Sequence, residues 1–434
     1  MVLLKNDDDL LPLAANAGKI AVIGPLADDH YSPLGCWAWM GRPRDVESVL
    51  DGVRDVWQGD AEILYEKGCD IVEPRPDAHG IDWRRVDLRH VEEVESLDLV
   101  QQIREKLVFS HWDLDQASLE RVDLGAVMSR LEITADDLSE EDIRRIAEAQ
   151  PARPDMQAAV EAASQADVAV VVLGEAETMS GEAHSRAYLD LPGRQQELLE
   201  KVVATGTPVV LVLLTGRPLA ITWADEHVPA ILQAWHGGIR TGRAVANLLF
   251  GEAMPSGKLS ITFPRAVGQI PIYYAHKSTG RPAKGEGTTQ FTDPFRSVWI
   301  DETNDPLYPF GYGLSYTSFA YDNLQMHATE VPLDGIVVAT AEVTNTGERD
   351  GVEIVQLYVR DLVASVTRPV KELKGFQRVA LAAGETKTIT FEVLASDLGF
   401  HGLANEYVVE PGEFSLWIGP SAAEGLQSSF HLTS

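Results

Sequence analysis

Two cysteines in 434 residues, Cys36 and Cys69, are too few to staple a chain of this length, and they lack the CxxC spacing of a redox pair or zinc site. They read as small residues in or near a core. Basic residues are also scarce: 36 Lys and Arg stand against 66 Asp and Glu, a formal charge of −30 at pH 7. That sign repels phosphate backbones and anionic headgroups, so neither nucleic acid nor a membrane surface is an expected partner. No run approaches the roughly 18 apolar residues that span a bilayer. The opening MVLLKNDDDLLPL has no basic segment leading into an apolar one, so no export signal is read there.

The common cofactor motifs are missing too. GEAMPSGK at 251–258 has the wrong glycine spacing for a phosphate loop and places Leu259 where a hydroxyl would hold magnesium. The pair Gly24-Pro25 does not make a dinucleotide fingerprint, and there is no GxSxG elbow or HExxH helix. Neither a metal nor an organic cofactor is expected.

What is present is a strand and helix rhythm. Continuous apolar runs at 19–24, 61–65, 168–174, 208–214 and 229–235 have the look of strands buried on both faces. Between them fall helical stripes: Val46, Val49, Leu50, Val53 and Val56; Leu198, Leu199, Val202 and Val203, stopped by Gly206; and Ala244, Val245, Leu248 and Leu249. The alternation predicts an α/β sandwich with a mostly parallel sheet over residues 1–265. A charged segment at about 74–155 breaks the rhythm with helical spacing and reads as an insertion, with Ser139 and Asp142 as a helix-start pair. Residues 266–315, rich in Pro, Gly and aromatics such as Tyr273, Tyr274, Trp299, Tyr308, Phe310, Tyr312 and Tyr316, predict an ordered linker. Period-two runs at 337–346, 353–361, 386–393 and 413–419 then predict an all-β sandwich over 316–434.

The chemistry-bearing stretch is VAVVVLGEAETMSGEAHSRAYLDLPG at 168–193. A buried strand ends at Gly174, and Glu175, Glu177, Glu182, His184 and Arg186 follow before the next helix. Ligands of open α/β sheets bind at the carboxyl ends of strands, so this loop is placed to project into a cleft. A carboxylic acid there suits general-acid work. By spacing alone, a solvated acidic loop fits equally well.

This stretch, with PGRQQELL after it, resembles the acid/base loop of glycoside hydrolase family 3, the β-glucosidase and β-xylosidase family. The resemblance extends through VLLKN, IAVIGPLADD, VLLTGRPLAI, QAWHGG, ANLLFGEAMPSGKLSITFP, VGQIPIYYAHKSTGRP, LYPFGYGLSYTSF and RPVKELKGFQRVAL. It implies that the β-sandwich is fibronectin III-like. It also implies a retaining glycosidase, in which one carboxylate attacks the anomeric carbon and another, about 5–5.5 Å away, protonates the leaving oxygen. Glu175, directly after the strand-end glycine, is the better match to the acid/base residue, with Glu182 in reserve. Arg186 and His184 either orient that carboxylate and a sugar hydroxyl or, for Arg186, close the loop on Asp190. Trp37 and Trp39 either stack on the leaving-group side or pack in the core. The family's nucleophile belongs to an (α/β)8 barrel for which these residues show no pattern; Asp82-Trp83 is only superficially similar to its Asp-Trp pair.

The implied function is thus the C-terminal part of a β-glucosidase-type enzyme acting on β-linked glucosides from the non-reducing end. A barrel domain, or self-association, is the implied partner, and a periplasmic or secreted setting is implied as well. The alternative is a non-catalytic carbohydrate-binding or accessory protein that kept the fold. Retention of Glu175 and its loop argues against it, since a binding module has no use for a proton donor.

Overall fold

The computed structural model describes residues 1–14, 18–38, 41–57, 62–72, 99, 133–134, 137–148, 154–282, 295 and 297–434. The expected apolar runs form β2 (Ile20–Ile23), β3 (Ile63–Glu66), β4 (Val168–Gly174), β5 (Val209–Leu214) and β6 (Ala230–Gln233). With β1 (Val2–Asn6) they make a six-stranded sheet in the order β1-β6-β5-β4-β2-β3. Every pairing is parallel except β1 with β6. Composition hid β1, because LLKN is too short to distinguish a strand from a helix turn.

Side chains alternate across this sheet, and the alternation divides the apolar residues between two cores. Ala21, Ile23, Val171, Leu173, Leu211 and Leu213 pack under α3 (Met156–Ser164) and α4 (Gln195–Val203). Ile20, Val22, Val170, Val172, Val210 and Val212 face the other way, onto α1 (Val49–Val56) and α6 (Thr241–Leu249). That division explains why β4 and β5 show no polar alternation: each is buried along its whole length. The first stripe starts one turn later than its spacing suggests. Val46 is extended, and Ser48 opens α1 with a capping box, its Oγ accepting from Asp51 N–H at 3.1 Å while Asp51 accepts from Ser48 N–H at 3.1 Å. Gly52 on α1 allows close approach to α6, since a Cβ there would fall 2.1 Å from Gly242 O.

From β2 the chain steps outward to β3, whereas from β4 it steps through β5 and α5 (Thr222–His227) to β6 on the opposite side. The reversal lies between β2 and β4. It places the loops after Gly24 and Gly174 at the crevice where open α/β sheets bind ligands.

Of the charged segment, helix α2 (Glu140–Glu148) is described, and Ser139 Oγ accepts from Asp142 N–H at 3.1 Å as expected of a helix start. Most of 74–155, including Asp82 and Trp83, lies outside the described residues. Within 266–315 and at Tyr316 just after it, several aromatics dock. Tyr308 is buried against Phe263 and donates to Asp225 at 2.5 Å, Tyr312 donates to Leu4 O at 3.1 Å, and Tyr316 to Leu248 O at 2.7 Å. Tyr273 and Trp299 instead face solvent.

The C-terminal part is all β: β7 (Phe319–Met326), β8 (Glu330–Pro332), β9 (Ile336–Asn345), β10 (Gly351–Asp361), β11 (Glu372–Leu381), β12 (Thr386–Leu394), β13 (Phe400–His401), β14 (Tyr407–Val408), β15 (Gly412–Gly419) and β16 (Leu426–Thr433). Sheets β11-β10-β15-β16-β8 and β12-β9-β7 enclose a core that includes Val337, Ala339, Val355, Phe391, Phe414 and Phe430. This two-sheet sandwich carries the alternation read from 337–346 and 353–361. Of the two cysteines, Cys69 is buried as expected; Cys36 is exposed on the β2 loop, so the core reading fails for it.

Candidate active site at the strand ends

The site begins with a backbone constraint. Gly174, the last residue of β4, has φ +140°, and a Cβ there would lie 1.9 Å from Leu214 O, so only glycine lets β4 end this close to β5. Gln195, buried at the start of α4, holds the same residue from the other side. Its Oε1 accepts from Gly174 N–H at 2.7 Å and its Nε2 donates to Gly174 O at 2.9 Å. The loop that follows therefore leaves the sheet from a fixed point.

Glu175 turns inward from that point and is fully buried. Its Oε1 lies 2.9 Å from Arg186 Nη1 and 3.2 Å from Arg217 Nε, and its Oε2 accepts from Gly216 N–H at 3.3 Å. Arg186 also donates to the Asp190 carbonyl at 2.8 Å, so it both reaches the Glu175 carboxylate and closes the loop, through the backbone of Asp190. Glu182 and His184 are exposed at the tip of the loop. At the tip Gly181, at φ +110°, takes a conformation open to glycine, and Ala183, at φ +62°, is strained.

Neighbouring strand ends complete the crevice. On the β2 loop, Asp29 Oδ1 accepts from Tyr31 N–H at 2.7 Å, and the Ser32 hydroxyl, donating to Asp29, lies 3.3 Å from Glu177 Oε2. Cys36 sits under the tip: a Cβ on Gly181 would fall 3.2 Å from its sulfur. Trp37 beside it is 62% exposed, so core packing does not account for it. Trp39 lies outside the described residues. From β5 come Gly216 and Arg217, and from β6 come Trp235, with φ +61°, and His236. Burial pushes the His236 imidazole below its ordinary range, against the opposing pull of the Ser32 backbone and of Glu175 and Asp29.

Sequence reasoning passed over Arg217, Gln195 and His236. Each stands in a quoted motif (TGRP, PGRQQ, QAWHGG), but only the structure shows that the end of β5, the start of α4 and the end of β6 bring them to one place.

Among the described residues, one group has the donor set for a metal: Asp28, His30 and Asp51, whose ligand atoms lie within 4.8 Å of one another. His30 Nδ1 donates to Val46 O at 2.8 Å, leaving Nε2 at 3.6 Å from Asp28 Oδ1 and 4.0 Å from Asp51 Oδ2. These contacts are also those of a protonated imidazole between two carboxylates. Donation to the Asp28 carboxylate raises His30 above its ordinary pKa, and His30 holds Asp28 below its own. A raised folded-state pKa gives stability that is fully present below the unfolded value of about 6.5 and is lost as pH rises through the raised value. Replacing His30 by Asn should therefore cost up to about 1 kcal/mol at pH 6, and less at pH 9. Denaturant unfolding of both proteins at the two pH values checks this; a deficit that grows with pH would contradict it.

A mostly parallel α/β sheet with a carboxylate loop at its topological switch, followed by a β-sandwich, makes this a two-part α/β and all-β protein with its candidate site at the strand ends. Residues 1–316 match the glycosyl hydrolase family 3 C-terminal domain and residues 353–422 the fibronectin type III-like domain, and the chain belongs to glycosyl hydrolase family 3. It is 39% identical over 432 residues to a periplasmic beta-glucosidase of Salmonella typhimurium, covering all of this chain and 48% of that protein. A beta-xylosidase of Formosa agariphila is 35% identical, over 97% of this chain and 47% of its own length. The crystal structure of a beta-glucosidase from Listeria innocua in complex with glucose superposes with a TM-score of 0.75 at 32% identity, covering 100% of this chain and 48% of the other. The chain thus spans about half the length of these relatives. No helix among the described residues is long and apolar enough to cross a membrane.

Proposed function

We propose that this chain is the acid/base half of a retaining β-glucosidase-type hydrolase, and that Glu182 is its proton donor. The supporting observation is the contrast between the two candidate carboxylates. Glu175 has no exposed surface, and both its oxygens are engaged by Arg186, Arg217 and the Gly216 amide. A general acid must carry a proton and come within about 3 Å of the leaving oxygen. Glu182 stands exposed at the tip of the loop, over the switch-point crevice. The order of preference drawn from adjacency to Gly174 is therefore reversed.

In this reading the glycosidic C–O bond breaks as Glu182 transfers its proton to the departing oxygen, and a second carboxylate takes the anomeric carbon. Water then displaces that carboxylate, and Glu182 recovers a proton from the water. The second carboxylate belongs to the half of the relatives that this chain does not span. His184 beside the donor is placed for a sugar hydroxyl, and exposed Trp37 for stacking on the leaving-group side. The substrate class is a β-linked glucoside or short oligosaccharide cut from the non-reducing end. The setting is periplasmic or secreted, as the name of the Salmonella relative suggests.

Hydrolysis of a chromogenic β-glucoside tests the division of labour. This chain alone should show no turnover, and adding the complementary barrel half, fused or in trans, should restore it. Turnover by the chain alone would mean that one of its own carboxylates is the nucleophile. Binding of cellobiose without turnover in any combination would favour the accessory reading.

A further inference from the structure

The reversal leaves a fully buried Glu175 without a chemical task, in a position where burial of a charge is costly unless partners recover it. Two guanidiniums for one carboxylate is more than pairing needs. What distinguishes them is where their remaining N–H groups go. Arg217 Nη2 donates to His184 O at 2.9 Å and also to Met179 O. Arg186 Nη2 donates to Asp190 O at 2.8 Å. These carbonyls lie before the tip, just after it and at the end of the loop, so they bracket Gly181, Glu182 and Ala183. Among the described residues none gives a hydrogen bond to the Glu182 side chain; its place is set by its flanks.

We infer that Glu175 is a positioning residue: through Arg186 and Arg217 it folds residues 176–190 over the strand ends and so fixes where Glu182 stands. The inference rests on the reading of Glu182 as donor, and it explains a cost that reading leaves open. Ala183 holds left-handed backbone that persists only where the surroundings over-determine it. Guanidiniums can do that: Arg186 donates to the Glu175 carboxylate and the Asp190 carbonyl at once, and Arg217, ion-paired with Glu175, donates to two loop carbonyls. A lysine offers a point charge and cannot span both partners. Gln195 extends the anchor to the sheet, since it grips Gly174 on both backbone groups. The chain sheet, Gln195, Gly174, Glu175, arginines, loop carbonyls is then continuous, and only its last link is exposed to substrate.

Two measurements separate this inference from the function it rests on. The first is hydrogen exchange in the full chain, which needs no activity. Glu175→Gln and Arg217→Lys should each speed exchange of the peptide 176–190 about tenfold, with the β5 peptide 209–214 unchanged; Glu182→Gln should change neither. Unchanged exchange of 176–190 in a folded Glu175→Gln overturns the inference. If Glu175→Gln does not fold, Arg217→Lys decides by the same criterion. The second is leaving-group dependence of kcat with the barrel half present. A positioning role predicts that Glu175→Gln loses rate progressively as the leaving group becomes poorer, with KM little changed. A merely structural role would lower the folded fraction and reduce all substrates equally, which would also overturn the inference. If Glu182→Gln shows no leaving-group dependence while Glu175→Gln does, the donor assignment fails, and the exchange result still judges the anchor.

Discussion

With the barrel half present, Glu182→Gln should lower kcat for an alkyl β-glucoside by about 10²–10⁴-fold, the usual contribution of a positioned general acid. An alkoxide is too basic to leave without a proton, so the whole of that contribution is exposed. A dinitrophenolate leaves unassisted, and the first step for its glucoside should be nearly untouched. Turnover of that substrate should then be limited by the second step, where Glu182 would have taken the proton from water, and a burst equal to the enzyme concentration should appear. Small anions that need no base to become nucleophiles should relieve that limit. The thermal midpoint should barely move, because Glu182 is exposed and its replacement is isosteric. A variant that loses both substrates equally would place the proton elsewhere. Glu175 would then be the first suspect, and its burial would have to be relieved by the missing half.

Much of this candidate site is legible in the sequence, and the part that is not has a common cause. The runs at 168–174 and 208–214 are β-branched and Leu-rich with no polar interruption, and they form β4 and β5 because both faces of the sheet are covered by helices. Gly174 then marks the strand end, so the loop carrying Glu175, Glu182, His184 and Arg186 could be placed at the carboxyl edge. Choosing between the two glutamates required knowing what lies across from them. Arg217, more than 40 residues later, approaches Glu175 only because β4 pairs with β5 in register, Gly174 opposite Leu214. Local spacing carries no trace of that pairing. The sandwich strands that escaped notice failed for different reasons. β7 is interrupted by a register shift between Asp322 and Gln325, with Asn323 at φ +54°. β11 contains Gly375 and two basic residues, Lys374 and Arg378. β16 dilutes its alternation with Gln427, Ser428 and Ser429. In each, pairing with a neighbour decides the strand against weak propensity.

The second large effect should come from the junction between the α/β part and the β-sandwich, where Lys258 meets Glu353. The ion pair is 3.1 Å long with both side chains largely buried, and Lys258 also donates to Gly313 O at 2.8 Å while the Tyr321 hydroxyl donates to Glu353 at 2.9 Å. Burial nevertheless pushes the Glu353 carboxyl above its ordinary range, more than Lys258 and Tyr321 pull it down. Desolvation therefore outweighs attraction, and the pair specifies how the two parts meet more than it stabilises them. Lys258→Met should cost about 3–5 kcal/mol, since it strands a buried carboxylate. The double variant Lys258→Met, Glu353→Leu should recover most of that loss. The sign with pH follows from the same balance. A carboxyl with a raised folded-state pKa favours the folded state while protonated, and loses that contribution as pH rises through the raised value. Without Lys258 the carboxyl is raised further, so the Lys258→Met deficit should be small at pH 5 and large at pH 8. Calorimetric unfolding of the wild type, the single and the double variant at both pH values tests this. A double variant no more stable than the single one would mean that attraction wins, and that the junction is held by charge after all.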